Sequence, residues 1–277
     1  MWLINTKSLQ LDEFNERDAP PYAILSHTWG SPNEEVDFRG MHCNARSQMI
    51  SKTGYQKIVG TCEQARKGWL DGAELTEAIN SMFRWYEKAE ICLAYLADVS
   101  AHGNTIEGFI SGRWFTRGWT LQELIAPRKL RFFASNWEAI GDRGDMAELL
   151  SARTGIDKVI LERNYSSSET GSVGSMLRNI SVARKFSWAS LRKTTRREDM
   201  AYCLFGIFAI NMPLIYGESK GAFIRLQEKI VRRTDDQTIF AWNCLPGAFG
   251  TDFQLVGYIL QLNPSSSKTQ TQSIPWS

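Results

Sequence analysis

Tyr22-Ala-Ile-Leu-Ser-His-Thr-Trp-Gly30 is the stretch that decides the fold, because a short apolar run ends abruptly in polar side chains. Two similar apolar runs follow at residues 91–97 and 130–134. Runs without polar alternation that are separated by helical patterns indicate parallel strands covered on both faces. In open sheets of this kind, ligands bind beyond the carboxyl ends of the strands. The side chains predicted to lie at those ends are Ser26, His27, Trp29 and Asp98.

Residues 113–127 read Arg-Trp-Phe-Thr-Arg-Gly-Trp-Thr-Leu-Gln-Glu-Leu-Ile-Ala-Pro and precede the third of these runs. The pattern is that of a short helix ended by proline, with three aromatic side chains, two arginines and one carboxylate. Trp119 and Glu123 stand four residues apart and share a face of such a helix. An acid held against an indole is rare in a core. The run therefore predicts a site in which Glu123 is the catalytic candidate and Trp119 supports it.

Helical periodicity fills much of the remaining chain. It predicts one helix from about Tyr55 to Lys67 and a second with an apolar stripe from Leu75 to Ala89, for which Asp71 and Glu74 provide the N-terminal cap. Further helices are predicted at residues 146–154, 175–190, 197–208 and 220–233. The predicted organisation is an α/β domain at 1–145, a helical region at 146–243 and an extension at 244–277, disordered from about residue 263.

The composition bounds the classes of function. A net charge of +2 over 277 residues argues against a nucleic-acid binder, and the basic cluster at 192–197 is interpreted as solvated surface. The five cysteines are scattered and odd in number, which predicts reduced thiols in the cytosol, two or three of them buried. The three histidines lack ligand spacing, so no metal site is predicted. No signal peptide or membrane-spanning run is found, and we expect a cytoplasmic protein without a membrane partner.

Several blocks resemble the signature of the fungal heterokaryon incompatibility (HET) domain. They are residues 22–30, 73–86 and 113–124, and the resemblance covers about half of the chain. The segments at 195–203, 212–218 and 240–242 resemble the region that often follows this domain in filamentous fungi. The resemblance implies a role in nonself recognition, in which incompatible fused hyphal cells are killed.

HET domains are in turn similar to Toll/interleukin receptor (TIR) domains, which have a flavodoxin-like parallel sheet. Residues 22–26 resemble the first TIR strand, and Trp119 to Leu124 resembles the Trp-x-x-x-Glu segment. In enzymatic TIR domains the glutamate of that segment cleaves NAD, so the resemblance implies this role for Glu123, with NAD as a substrate and no cofactor. A carboxylate in a water-poor cleft would stabilise the positive charge that develops on the ribose. Arg113 or Arg117 would pair with the pyrophosphate.

One block of the HET pattern has no counterpart here. HET domains carry a strand of the type Trp-Ile-Asp-Thr-Cys-Cys-Ile-Asp before their Glu-Leu helix, but Gly68 to Gly72 is too short for a strand and its turns in a parallel crossover. The second strand is therefore predicted to be absent or vestigial. In the flavodoxin-like order 2-1-3-4-5 its loss would expose the first strand at the edge of the sheet.

Two classes of function remain open from the sequence. The first is an enzyme that cleaves NAD or modifies a nucleotide through Glu123. The second is a non-catalytic signalling module that assembles with itself or with another incompatibility protein, or an inactive paralogue. Each candidate residue also has a structural alternative: Glu123 can pair with an arginine, His27 can be a hydrogen-bonded structural residue, Asp98 can cap a turn, and Trp114 and Trp119 can be packing residues.

Overall fold

A mixed seven-stranded sheet forms the centre of the molecule in a computed structural model that describes residues 1–42, 49–68, 70, 72–74, 79–101, 105–162 and 172–240. The strands are β1 (Trp2–Asn5), β2 (Leu11–Glu13), β3 (Tyr22–His27), β4 (Gly72–Glu74), β5 (Ile91–Tyr95), β6 (Leu130–Phe133) and β7 (Ala139–Asp142). Their order across the sheet is β2-β1-β4-β3-β5-β6-β7. The four central strands β4, β3, β5 and β6 are parallel, and the outer pairings are antiparallel.

The described residues contain twelve α-helices around this sheet. They are α1 (Phe38–His42), α2 (Thr53–Lys67), α3 (Met82–Lys88), α4 (Thr105–Ser111), α5 (Thr120–Ile125), α6 (Ala147–Thr154), α7 (Lys158–Leu161), α8 (Val173–Arg178), α9 (Val182–Ala189), α10 (Asp199–Tyr202), α11 (Phe205–Phe208) and α12 (Gly221–Val231). Two 3-10 turns, Arg113–Thr116 and Gln237–Phe240, complete the secondary structure. None of the helices in these ranges is long and apolar enough to cross a membrane.

The three apolar runs are confirmed as parallel strands. β3 pairs with β5 from Ala23 opposite Ile91 to His27 opposite Tyr95, and β5 pairs with β6. Both faces of these strands are covered, since every residue of β3 from Tyr22 to Ser26 is buried. The predicted α/β class with a parallel sheet and flanking helices is therefore correct.

Residues 68–89 agree with one prediction and contradict another. Gly72–Glu74 forms β4, a strand of three residues that pairs in parallel with β3, so the second strand is vestigial and not absent. The helix predicted from Asp71 is wrong, because α3 begins at Met82. Three residues suffice because the N-terminal strand β1 pairs with the other side of β4. For the same reason β3 is not an edge strand. Residues 75–78 and the predicted disordered extension lie outside the described residues.

The helical second half also differs in detail from its prediction. The helix predicted at 175–190 is two helices, because Ser181 caps α9 by accepting a hydrogen bond from the amide of Arg184. The helix predicted at 197–208 is likewise divided into α10 and α11, and Ala209 ends the latter in the left-handed conformation. Strand β7 was not predicted from the sequence. The helices α2, α6 and α12 are confirmed near their predicted bounds.

The main hydrophobic core runs without interruption from the sheet into the helices of the second half. It includes Leu3 of β1, Phe132 of β6, Phe186 of α9 and Ile239 near the end of the described chain. Cys62, Cys92 and Cys203 are buried free thiols, as the cysteine pattern predicted. The shared core places the carboxyl end of β3 beside α3 and α5, where the candidate site lies.

Gly206 provides a test of the packing between α11 and α3. A Cβ at this position would overlap the side chain of Phe83, whereas a Cβ at Gly174 of α8 would meet its nearest atom, Ser172 Oγ, at 3.7 Å. We expect Gly206→Ala to lower the free energy of unfolding by about 1–3 kcal/mol through overpacking. Gly174→Ala should leave it unchanged or raise it by up to about 1 kcal/mol, since alanine favours a helix. Urea unfolding of both variants measures the difference, and equal stabilities would contradict the packing.

Candidate active site

Glu123 is a buried acid that is held by a chain of hydrogen bonds. Its side chain is only 6% exposed, and its Oε2 accepts a hydrogen bond from Ser26 Oγ near the carboxyl end of β3. Ser26 Oγ in turn accepts a hydrogen bond of 2.8 Å from Trp114 Nε1. Indole, hydroxyl and carboxylate therefore form one continuous chain that joins the 3-10 turn, the sheet and α5.

Close packing fixes both ends of this chain. The Trp114 ring is fully buried and meets Phe115 and Phe132 edge to face, at centroid distances of 5.1 and 5.6 Å. Thr120 Oγ1, at the start of α5, donates a hydrogen bond of 2.6 Å to the backbone oxygen of Trp114. The relative position of the turn and the helix is thus set by a hydrogen bond and by aromatic contacts, which leaves Glu123 little freedom to move away from Ser26.

Burial changes the acidity of Glu123. Loss of hydration raises its pKa to about 7, against a smaller lowering by the Ser26 hydrogen bond and by the charges of Arg192 and Arg117. A carboxyl group with this pKa is present in both protonation states near neutral pH, which is the range in which general acids and bases work best. A strongly perturbed acid at a cleft is a typical mark of a functional site.

Arg192 supplies a buried cation near Glu123 that was not predicted from the sequence. It belongs to the basic cluster that we interpreted as solvated surface, yet its side chain is 3% exposed. Its Nη1 donates to Thr120 Oγ1 at 2.8 Å and to the backbone oxygen of Arg117 at 2.9 Å. Its Nη2 has no hydrogen-bond partner among the described residues. Burial lowers the pKa of Arg192 to about 10, so it keeps its charge at neutral pH.

The acid opens into a cavity of about 90 Å³ at the carboxyl end of β3. Glu123 lines this cavity together with His27, the last residue of β3, and with Trp29, which lies just after it. Lys57 of α2 and Trp85 of α3 also line it. The indole nitrogen of Trp85 is buried and has no acceptor among the described residues.

A buried ion pair between Lys57 and Glu35 also lines the cavity. Lys57 Nζ pairs with Glu35 Oε1 at 2.7 Å, and the same oxygen accepts a hydrogen bond of 2.6 Å from the amide of Gly30. Both partners of this ion pair are buried. Lys57 shares the buried face of α2 with Thr61 and Ala65 at four-residue intervals, and a lysine on such a face was the signal that could have identified it from the sequence.

His27 is neutral at physiological pH. Burial lowers its pKa to about 4, and the nearby charge of Lys57, whose Nζ lies 3.4 Å from His27 Nδ1, lowers it further than Glu35 raises it. The imidazole ring stacks loosely on Trp29, with ring centroids 5.6 Å apart. His27 can therefore exchange hydrogen bonds with a ligand in the cavity but carries no positive charge there.

The remaining predicted residues have other roles in the described structure. Asp98 accepts a hydrogen bond of 2.7 Å from the amide of Arg113, which makes it the cap of the 3-10 turn. Arg113 Nη2 donates to the backbone oxygen of Trp29 at 3.2 Å, and Arg117 Nη2 lies 3.5 Å from Thr195 Oγ1. Asp98, Arg113 and Arg117 do not line the cavity of Glu123.

The structure joins a different indole from Trp119 to Glu123 through hydrogen bonds. Trp119 immediately precedes α5, and its side chain acts to lower the pKa of Asp199 of α10, against a larger rise from burial. Trp114, which the sequence analysis treated as a packing residue, is the indole connected to Glu123. Trp119 and Glu123 do lie one helical turn apart, with the amide of Glu123 3.5 Å from the backbone oxygen of Trp119. The indole that is bonded to Ser26 comes instead from the preceding 3-10 turn.

Glu123→Gln should change how stability depends on pH. The folded chain holds the Glu123 proton up to about pH 7, whereas the unfolded chain releases it near 4.5. The wild-type free energy of unfolding therefore falls as pH rises between these values, by on the order of 3 kcal/mol at roughly 1.4 kcal/mol per pKa unit. Glu123→Gln lacks this loss, so we expect its stability relative to wild type to increase from about pH 5 to about pH 8.

Urea unfolding at the two pH values measures this effect. Glu148→Gln is the matched control, because Glu148 is an exposed carboxylate that pairs with Lys158 on the surface. Its stability relative to wild type should be nearly the same at both pH values. A Glu123→Gln variant that behaves like the control would show that Glu123 is ionised in the folded protein throughout this range.

Comparisons with known proteins matched this chain to a domain model and to a fungal protein. Residues 221–270 match the model of a domain of unknown function, DUF8212. The vegetative incompatibility protein HET-E-1 of Podospora anserina is 45% identical over 232 residues, which is 76% of this chain and 16% of that protein. No solved structure matches the chain. The chain is therefore a homologue, over three quarters of its own length, of a fungal heterokaryon incompatibility protein.

Proposed function

We propose that this chain is a nonself-recognition effector that kills incompatible fungal cells by cleaving NAD through Glu123. The observation that supports this most is the buried carboxyl group at the carboxyl end of β3, held by Ser26 and open to a cavity. The similarity to an incompatibility protein supports the biological role, and the site supports the chemistry. On this proposal the protein acts in the cytoplasm and takes NAD as a substrate.

The topology of the sheet supports a TIR-like, flavodoxin-like assignment. Among the parallel strands the order β4-β3-β5-β6 corresponds to second, first, third and fourth along the chain. This is the beginning of the flavodoxin-like order, in which a ligand binds at the switch point between the first and third strands. Ser26 lies near the carboxyl end of the first of these strands, beside β5, so the hydrogen-bonded acid is at that point.

The two oxygens of Glu123 have different tasks in this mechanism. Oε2 is held by Ser26, whereas Oε1 makes no hydrogen bond with the described residues and is free to accept one from a ribose hydroxyl. The bond that breaks joins the ribose C1′ to the nicotinamide nitrogen, and its electron pair leaves with the nicotinamide. The carboxylate stabilises the positive charge that develops on the ribose. Water then adds to C1′ and releases a proton, which gives ADP-ribose.

Substrate binding also favours the reactive form of the acid. The nicotinamide ring of NAD is cationic, and a positive charge close to a carboxyl group lowers its pKa. A Glu123 with a pKa of about 7 in the free protein would thus be ionised when NAD is bound. The neutral ring of His27, which lines the cavity, is available to orient the ribose or the amide of nicotinamide.

The size of the cavity limits how the dinucleotide can bind. Pockets that enclose whole small ligands measure about 300–1,000 Å³, whereas this one measures about 90 Å³. We propose that only the nicotinamide riboside end enters and that the rest of NAD lies across the mouth. Trp29, which is 47% exposed, offers a ring for stacking there, and Arg113 beside it offers a partner for the pyrophosphate.

The small cavity also favours the second candidate function. A non-catalytic module that assembles with itself or with another incompatibility protein needs no space for a dinucleotide. In that case the Trp114–Ser26–Glu123 chain would serve only to join the sheet to α5. Loss of the acid would then affect stability but not the NAD level of the cell.

Expression of the full chain in a fungal host separates the two functions. Wild type, Glu123→Gln and Glu123→Ala are compared, with the exposed Glu148→Gln as control, and cell death and NAD are followed together. We expect wild type and the control to deplete NAD before the cells die. Both Glu123 variants should lose NAD depletion and killing together, by about 100-fold or more, because a carboxylate acting on a developing charge contributes several kcal/mol.

Matched protein levels are required, measured on immunoblots of each strain. Death at the wild-type level without a fall in NAD would contradict catalysis and support assembly. NAD depletion that survives in both Glu123 variants would show that another residue performs the cleavage.

A further inference from the structure

A second and larger cavity lies in the helical half of the chain. It measures about 550 Å³, within the range of small-molecule sites, and is bordered by α8, α9, α11 and α12 and by the segment that follows α12. Its apolar lining comes from Ile180, Val182, Phe208, Ile210 and Ile230. None of the residues that line the Glu123 cavity contributes to it.

Lys185 of α9 lines this cavity and is an unusual residue for its position. The residue is 7% exposed, and among the described residues its Nζ makes no hydrogen bond and no ion pair. Its one specific contact is with the ring of Phe208, whose centroid lies 5.3 Å from Nζ. Buried charges are otherwise paired, because burial without a partner is costly. An acceptor in the cavity would satisfy this amine.

The charges around the cavity favour an anion. Arg178, Lys185 and Arg233 line it, against one carboxylate, Asp236. Asp236 is engaged elsewhere, since its oxygens accept hydrogen bonds from the amides of Val182 at 2.7 Å and of Thr238 at 2.9 Å. Burial lowers the pKa of Lys185, and the charge of Asp236 opposes this only in part. A bound anion would compensate the positive charge of Lys185 more fully than Asp236 does.

We propose that this cavity binds a small organic anion, a carboxylate or sulfonate with an apolar body, through the amine of Lys185. The apolar walls accept the body of the ligand, and the acid group lies against Nζ with Arg178 and Arg233 nearby. A mineral anion such as phosphate would leave the apolar walls without contacts. The site is independent of the chemistry proposed for Glu123.

Binding of 8-anilinonaphthalene-1-sulfonate to the full chain tests the proposal, because this probe is a sulfonate with an aromatic body and fluoresces in an apolar site. We expect one saturable site from which octanoate displaces the probe, whereas octanol and inorganic phosphate do not at the same concentration. Lys185→Met should weaken binding by roughly 10- to 100-fold, the value of a lost charge-assisted hydrogen bond. Glu123→Gln should bind like wild type, which separates this site from the proposed activity.

Lys229→Met is the matched control, since Lys229 lies on the exposed side of α12 and outside the cavity. It should bind the probe like wild type. Without ligand, Lys185→Met should be at least as thermally stable as wild type, because Lys185 is largely buried and burial disfavours its charged form. Unchanged binding in Lys185→Met, equal displacement by octanol, or a large loss of thermal stability in that variant would each overturn the proposal.

Discussion

The hydrogen bond between Ser26 and Glu123 is the interaction on which the candidate site depends. It joins the first parallel strand to α5 and keeps a carboxyl group inside the molecule, where an acid without a partner would be costly. The parallel pairing of β3 with β5 brings Ser26 to the crevice, and the aromatic cluster around Trp114 holds the donor to Ser26. If any of these elements moved, the acid would lose either its partner or its access to the cavity.

The helical half of the chain takes part in the same construction. The segment after α9 lies against the turn that precedes α5, where the amide of Gly118 donates to Lys193 O at 2.9 Å and that of Lys193 donates to Thr116 O at 2.6 Å. Gly118 is required at this contact, because a side chain there would overlap Thr194. This pairing carries Arg192 into the interior, where its charge acts on Glu123. The acidity of the candidate catalytic residue is therefore set partly by residues outside the resembling HET blocks.

Much of this arrangement could be predicted from short-range patterns, and the failures have physical causes. Continuous apolar runs identified three parallel strands, with Ser26 near the end of the first. The expectation that Glu123 points towards that strand end agrees with its hydrogen bond to Ser26. Strand β4 was predicted to be absent or vestigial because three residues carry no periodic signal, and it is stabilised by pairing with the distant β1. Lys57 and Arg192 were missed because their burial depends on long-range contacts with Glu35 and with the backbone of Arg117. Local spacing selected Trp119, because a four-residue interval carries no information about Trp114, which reaches Ser26 from the 3-10 turn before the helix.

The central claim is that Glu123 is a buried acid with a pKa near neutrality, whose carboxyl group accepts a hydrogen bond from Ser26. Carbon-13 NMR of the side-chain carboxyl groups in glutamate-labelled protein measures this directly, with Glu123→Gln to assign the signal. The account predicts a titration midpoint at about pH 7 for Glu123 and a higher midpoint in Ser26→Ala, because the hydroxyl stabilises the ionised form. A midpoint at or below the ordinary glutamate value of 4.5, unchanged by Ser26→Ala, would contradict it.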